Sequence, residues 1–165
     1  MSEPLQRIGS YLGHLVKART RHAVHSPFVY ALADQVLRTT TPDEESAPIE
    51  QLRAALLRSG HTIRVNDLGA GSRVFDLPVR RVADIARTSL KPARHAQLLF
   101  RLTRWTRPAN VLELGTSFGI STLYLARGAD EGHVTTIEGC PQTHHIAQEH
   151  FGRLRQHNIT ALLGS

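Results

Sequence analysis

The hydrophobic positions in the last third of the chain form two kinds of segment. Short apolar or β-branched runs occur at 111–114, 133–138 and 158–163, and each is typical of a buried strand. The segments between them carry apolar residues at helical spacing, which predicts one helix over about 120–127 and another that begins near Pro141. The order is therefore β-α-β-α-β with short loops, which predicts a parallel sheet with right-handed crossovers and an α/β fold.

The pattern upstream is mostly helical. Apolar residues at helical spacing predict helices over 4–19, 28–37 and 49–57, then over about 79–88, and a last one after Pro92.

Proline and serine refine these boundaries. Ser26 followed by Pro27 predicts a helix start, with Ser26 as the N-cap, and the polar, proline-containing residues 39–48 predict a loop. The organisation that we predict has three parts: an N-terminal helical region (1–60), a connecting loop with helices (61–109), and an α/β domain (110–165).

Two glycine-containing turns follow predicted strands. The first, residues 67–72, follows a strand that begins at Ile63, but no helix starts directly after it. We interpret it as a structural or substrate-side loop rather than a second cofactor loop. The other turn runs from Gly115 to Gly119 and leads straight into a helix. Such a turn leaves free backbone N–H groups at the helix start, and we expect it to bind a ligand.

Composition narrows the function classes. With 165 residues, of which 41% are hydrophobic, the chain can bury a core of its own. The net charge of +6 comes almost entirely from arginine, and Lys17 and Lys91 are the only lysines. Because aromatic residues are not interspersed with the basic ones as a stacking platform needs, we expect no nucleic-acid binding.

The single cysteine, Cys140, excludes a disulfide framework and favours a reducing compartment. The sequence has no apolar run long enough to cross a membrane and no signal-peptide pattern, so we expect a cytoplasmic protein without membrane association. His144, His145 and His150 share a predicted helix but lack acidic or cysteine partners at a metal-binding spacing, so we predict no metal site.

Three kinds of chemistry could use the turn between Gly115 and Gly119. A dinucleotide site needs a middle glycine that is missing here. A nucleophile elbow would match Gly-x-Ser-x-Gly with Ser117 at its centre, but it needs an acid and then a histidine at the ends of later strands. The candidate histidines, His144, His145 and His150, lie instead on the helix predicted after the second strand. We interpret Ser117 as a hydrogen-bonding turn residue.

The third possibility is a site for S-adenosylmethionine. Free N–H groups at the helix start would suit the carboxylate of its methionine part, and Glu113 could face the ammonium. Glu138 ends the next strand, 19 residues after Gly119, close to the ~20-residue spacing at which nucleotide-binding folds place a carboxylate for the ribose hydroxyls.

These motifs resemble class I S-adenosylmethionine-dependent methyltransferases. The stretch 111–126, the strand and glycine at 132–139 and the helix around 146–151 carry the resemblance, which is greatest for the small-molecule O-methyltransferases. The resemblance implies methyl transfer to an oxygen of a small molecule, with S-adenosylmethionine as cofactor. It leaves the catalytic residues unidentified. The implied cofactor-binding residues are Glu113, Gly115, Thr116, Ser117, Gly119, Ser121, Glu138, Gly139 and Cys140.

The resemblance implies a Rossmann-like sheet of seven strands, of which the sequence accounts for the first three. We therefore expect 110–165 to be a partial S-adenosylmethionine-binding Rossmann-like domain. The first strand would then be an open apolar edge, which folded monomers avoid. We expect one of three explanations: a fragment or truncated gene product, a homodimer in which a second copy covers the open edge, or a weakly folded binding module. The alternative function is a non-catalytic interaction protein that retains a relic half-domain.

Overall fold

A computed structural model describes residue 7, residues 11–13, residues 26–66 and residues 79–164. It divides into two compact units, 1–38 and 39–165, and each is described here by itself. The glycine turn predicted at 67–72 lies outside the described residues, as does most of the helix predicted at 4–19. The predicted three-part organisation, with boundaries at 60 and 109, stays a prediction.

In the first unit, α1 spans Pro27–Leu32 and continues into a π-helical turn, Ala33–Leu37. Ser26 is its N-cap, and the Ser26 hydroxyl accepts a hydrogen bond from the N–H of Val29 at 3.4 Å. Pro27 occupies the first helical position, where its missing N–H costs nothing. The predicted helix start is therefore confirmed.

The second unit begins with a longer helix than the sequence predicted. Helix α2 spans Asp43–Arg58, so the loop predicted over 39–48 is wrong from residue 43 onward. Three acidic residues in its first turn complement the helix dipole, which favours the earlier start.

Pro48 lies inside α2 because a side chain replaces the hydrogen bond that it removes. A proline at 48 leaves the carbonyl of Glu44 without its helical donor. The guanidinium of Arg127 donates to that carbonyl at 3.2 Å and to the carbonyl of Glu45 at 2.6 Å. Arg127 is 79 positions after Pro48 in the sequence, so no local pattern could predict this compensation.

A small antiparallel pair follows α2. Strand β1 (Thr62–Arg64) pairs with β2 (Val79–Arg81), and helices α3 (Val82–Ser89) and α4 (Ala93–Thr106) come next. The helix predicted from Val79 is therefore wrong for its first three residues. They pair with a strand from an earlier part of the chain, and that long-range pairing overrides their local helical spacing.

The remaining elements form the predicted parallel sheet. They are β3 (Asn110–Leu114), α5 (Ile120–Gly128), β4 (His133–Glu138), α6 (Pro141–Arg153) and β5 (Ile159–Leu163). The strand order is β3-β4-β5, and both pairs are parallel. The predicted β-α-β-α-β order is confirmed.

The two faces of this sheet differ. On one face, Val134 and Thr136 are fully buried, and their neighbours in register on β3 are Val111 and Glu113. On the other face, Leu112 and Leu114 are 65% and 76% exposed, and β5 exposes Leu162. Among the described residues, β3 pairs with β4 alone, so its outer edge has no partner strand.

One hydrophobic core joins α2 to α6 across this unit. Phe118, Ile120 and Tyr124 pack in the same cluster as Ile49 of α2 and Phe100 of α4. Each fully buried side chain of this size contributes about 1.5–3 kcal/mol. Helices α2 and α4 therefore pack against the turn between β3 and α5 and help to hold it in place.

Candidate functional site

The turn between β3 and α5 reverses the backbone through three residues with positive φ. These are Gly115 at 88°, Ser117 at 48° and Gly119 at 77°. The N–H groups of Gly115 and Thr116 donate to the carbonyl of Ile137 at 2.9 and 3.2 Å, which joins the turn to β4. The predicted glycine turn therefore lies at the carboxyl ends of two neighbouring strands, where α/β sheets bind ligands.

The space available for a side chain differs between Gly115 and Gly119. A Cβ on Gly119 would lie 2.5 Å from Cε1 of Phe151 and 3.2 Å from Cβ of Ala147, so helix α6 fills that space. A Cβ on Gly115 would meet no atom of the described residues within 4 Å. Gly119 allows a close approach of α6, whereas Gly115 leaves an open position beside the turn.

Glu138 joins the last residue of β4 to this turn. One carboxylate oxygen, Oε2, accepts from the N–H of Ser117 at 2.7 Å, and Oε1 accepts from the N–H of Cys140 at 2.9 Å. The 19-residue spacing seen in the sequence thus becomes a direct contact. The same contact holds Ser117 in its positive-φ conformation, which non-glycine residues rarely adopt.

Glu113 lies beneath the start of α5 and accepts three hydroxyl hydrogen bonds. Ser121 donates to Oε1 at 2.6 Å, while Thr122 and Thr136 both donate to Oε2. Thr136 is in turn 2.6 Å from the hydroxyl of Thr116. The carboxylate at the end of β3 is therefore held by side chains from α5 and β4.

The other predicted site residues surround these two carboxylates. Gly139 lies in the bend between β4 and α6, and Cys140 is the buried N-cap of α6. The side chain of Ser121 points to Glu113. Thr116 is almost fully buried, so only its backbone can face a ligand.

Cys140 has a pKa below the ordinary range of a thiol. Its burial favours the neutral form, but hydrogen bonds from the backbone and hydroxyl of Thr143 and from the backbone of Asn66 and Gln142 outweigh that effect. The sulfur lies 3.7 Å from the carbonyl of Arg64, beside β1.

Sequence reasoning missed two residues that hold the turn. The hydroxyl of Ser89, at the end of α3, is 3.0 Å from that of Ser117. Nδ1 of His150 is 2.8 Å from the carbonyl of Phe118 and must donate to it, and burial lowers the pKa of this histidine. Neither residue belongs to a motif, because both reach the turn only through the packing of α3 and α6.

Metal-binding groups, membrane-spanning helices and cavities were sought among the described residues. These residues contain no group of three or more His, Cys, Asp or Glu residues that could hold a metal ion. Within the described ranges, no helix is both long and apolar enough to cross a membrane. A cavity of about 340 Å³ lies at the opposite end of the sheet, between Arg104, Arg107, Asp130 and Glu131.

Comparisons with known proteins connect this geometry to a fold. No family model matches the chain. It is 38% identical over 72 residues to the human transmembrane O-methyltransferase, a match that covers 42% of the chain and 25% of that protein. It is 31% identical over 109 residues to a protein of Mycolicibacterium vanbaalenii that is provisionally named an O-methyltransferase, covering 66% of the chain and 45% of that protein.

Two solved structures share the arrangement of elements. An SAH-bound methyltransferase from Podospora anserina superposes with a TM-score of 0.51 at 18% identity, over 87% of this chain and 53% of that one. A cofactor-bound protein from MTB superposes with a TM-score of 0.50 at 22% identity, over 86% and 52%.

The chain has a Rossmann-like methyltransferase fold. The resemblance to the O-methyltransferases is thereby confirmed, and the chain spans half or less of the length of the relatives it matches. The turn after β3 and the end of β4, with Gly115 and Glu138, lie at the carboxyl edge of the sheet, where α/β folds bind their ligands.

Proposed function

We propose that this chain binds S-adenosylmethionine at the carboxyl ends of β3 and β4, as the cofactor-binding part of a methyltransferase. The observation that carries the proposal is Glu138, whose carboxylate is held against the turn by the N–H groups of Ser117 and Cys140. One similar solved structure holds SAH and another holds a bound cofactor, and both support the same assignment.

The turn has room for such a ligand. Gly115 is exposed, has a φ of 88° and leaves an open position where any side chain would intrude. Helix α5 has no side-chain N-cap, so its first N–H groups are available to a carboxylate. Open space and uncapped donors at one point suit the amino-acid end of the cofactor.

The carboxylates of Glu138 and Glu113 suit the ribose hydroxyls and the ammonium group of the cofactor. Each oxygen of Glu138 accepts one N–H and keeps a further lone pair for a ribose hydroxyl. Glu113 carries the negative charge that an ammonium group needs. Gly139 and Cys140 follow Glu138 directly and would lie beside the adenosine, while Thr116, Ser117, Gly119 and Ser121 would shape the methionine end.

When bound, the cofactor supplies a methyl group on a sulfonium. The part of this chain is to bind and orient it, and orientation is the main contribution of a protein to such a displacement. We propose an oxygen of a small molecule as the acceptor, on the support of the O-methyltransferase names of its relatives.

Calorimetry with S-adenosylhomocysteine tests the proposal. We expect micromolar binding to the wild type, and Glu138→Ala should weaken it about tenfold or more, because each hydrogen bond to a charged group contributes about 1.5–3 kcal/mol. Glu149→Ala is the matched control, since Glu149 is an exposed carboxylate on α6 that pairs with His145. No detectable heat with the wild type at high micromolar ligand would refute the proposed function.

A second candidate is a non-catalytic interaction protein. The observation that favours it is the edge of β3, which has no partner strand in the described part of the chain and exposes two leucines, at 112 and 114. A homodimer that covers this edge would also be compatible with cofactor binding. The homodimer, the absence of nucleic-acid binding and the cytoplasmic location all stay predictions.

A further inference from the structure

We infer that the Thr136 hydroxyl, together with those of Thr122 and Ser121, is a positioning group that aims Glu113 at the ammonium of the cofactor. The inference rests on the proposed function and deepens it. It assigns the recognition of the amino-acid end to a buried hydroxyl cluster around Glu113, contributed by β4 and α5.

The direction of each hydrogen bond in this cluster follows from chemistry. An ionised carboxylate only accepts, so all three hydroxyls must donate to Glu113. Thr136 has one hydroxyl proton, which goes to Oε2 of Glu113. In the contact between Thr116 and Thr136, Thr116 must therefore be the donor. The chain of donors runs from the turn to β4 and ends on Glu113.

The cluster leaves one oxygen of Glu113 for a ligand. Oε2 accepts from both Thr122 and Thr136, which uses its two lone pairs. Oε1 accepts from Ser121 alone and keeps one lone pair. Three donors from two elements fix the orientation of the carboxylate, so an ammonium would meet it already aligned, without a loss of rotamer freedom on binding.

The burial of the hydroxyls indicates that the cluster is more than a means of filling space. Thr122 and Thr136 are fully buried and Thr116 is 1% exposed, so water cannot replace their hydrogen bonds. A valine at 136 would keep the β-branched shape of the strand residue and remove the need to satisfy a buried polar group. Threonine there is explained by the partner that it orients, Glu113.

The test compares two ligands that differ only at the amino-acid end. S-adenosylhomocysteine carries the ammonium and carboxylate, whereas 5′-methylthioadenosine keeps the adenosine and the thioether without them. For Thr136→Val, we expect S-adenosylhomocysteine to bind about tenfold more weakly and 5′-methylthioadenosine to bind within about twofold of wild type.

Thr135→Val is the matched control. Thr135 is the preceding residue on β4 and faces the other side of the sheet, in register with Leu112. It should leave the affinity for both ligands unchanged. Thr136→Ser retains the hydroxyl and should recover most of the affinity for S-adenosylhomocysteine.

The outcomes separate the inference from the proposed function. Failure of the wild type to bind S-adenosylhomocysteine would refute the proposed function. Equal losses for both ligands in Thr136→Val would mean that the cluster only supports the turn, and no loss for either would mean that it does not position Glu113. Each of these results would overturn the inference.

A melting curve of each variant shows whether it folds. If Thr136→Val does not fold, Thr122→Val gives the same comparison from α5, because Thr122 donates to the same oxygen. An unchanged ratio of the two affinities in a folded Thr122→Val protein would then overturn the inference.

Discussion

Replacing Gly119 by alanine should cost more stability than replacing Gly115, whereas replacing Gly115 should cost more cofactor binding. Gly119→Ala adds a Cβ 2.5 Å from Cε1 of Phe151, at a φ of 77°. The positive φ costs about 1–2 kcal/mol for a residue with a Cβ, and overpacking against the Phe151 ring adds about 1–3 kcal/mol. We therefore expect a loss of about 2–5 kcal/mol in the free energy of unfolding.

Gly115→Ala has the same backbone cost without the clash. Its φ is 88° and no atom of the residues that the structure describes lies within 4 Å of the added Cβ, so we expect a loss of only about 1–2 kcal/mol. The proposed function adds a second expectation, because that Cβ would occupy the open position assigned to the cofactor. Gly115→Ala should weaken S-adenosylhomocysteine binding more than Gly119→Ala does, when each is measured on folded protein.

Urea unfolding followed by circular dichroism measures the stability difference, provided that the slope of the transition is unchanged. Phe151→Leu is the diagnostic partner, since a leucine lacks the ring atoms that the new Cβ would meet. In a double-mutant cycle, it should recover at least about 1 kcal/mol with Gly119→Ala and nothing with Gly115→Ala. Equal stability losses for the two glycine variants, or no coupling with Phe151→Leu, would refute the reasoning.

Two further predictions concern pH and the open sheet edge. Burial lowers the pKa of His150 below its ordinary value of 6.5, so the unfolded chain takes up its proton first, and stability that is complete above about pH 6.5 should fall as the pH drops below it. His150→Asn, whose amide can still donate to Phe118, should flatten the dependence of urea midpoints on pH between about 6.5 and 5, and an unchanged dependence would contradict this role. If a second copy covers the β3 edge, sedimentation velocity should show a dimer whose population grows with concentration and is lost in Leu114→Lys, with the exposed Glu149→Lys as control. A monomer at all concentrations would exclude the homodimer.

The sequence alone determined the elements whose signals are local. The apolar run at 111–114, the β-branched run at 133–138 and the helical spacing between them are sufficient to predict the parallel sheet. Each run is typical of a strand, and a helix between two strands is the usual connection of a parallel pair. The sequence also predicted that Glu138 lies close to the glycine turn, since consecutive parallel strands bring their carboxyl ends to the same edge of the sheet.

The sequence could not reveal what residues far apart in the chain do to one another. The start of α2 at Asp43 depends on Arg127, which supplies the donor that Pro48 lacks. The short strand at 79–81 exists because it pairs with 62–64, and three residues carry too little pattern to predict this.

Only the tertiary structure separated the roles of the site residues. Gly115 and Gly119 look equivalent in the sequence, yet one borders open space and the other contacts Phe151. The sequence placed Glu113 at the end of a strand, facing the ammonium of a ligand, and the structure adds that three hydroxyl groups donate hydrogen bonds to it. The physical reason is that the pattern of hydrophobic residues indicates which face of a helix or strand is buried, whereas the partner of each side chain depends on how the helices and strands pack.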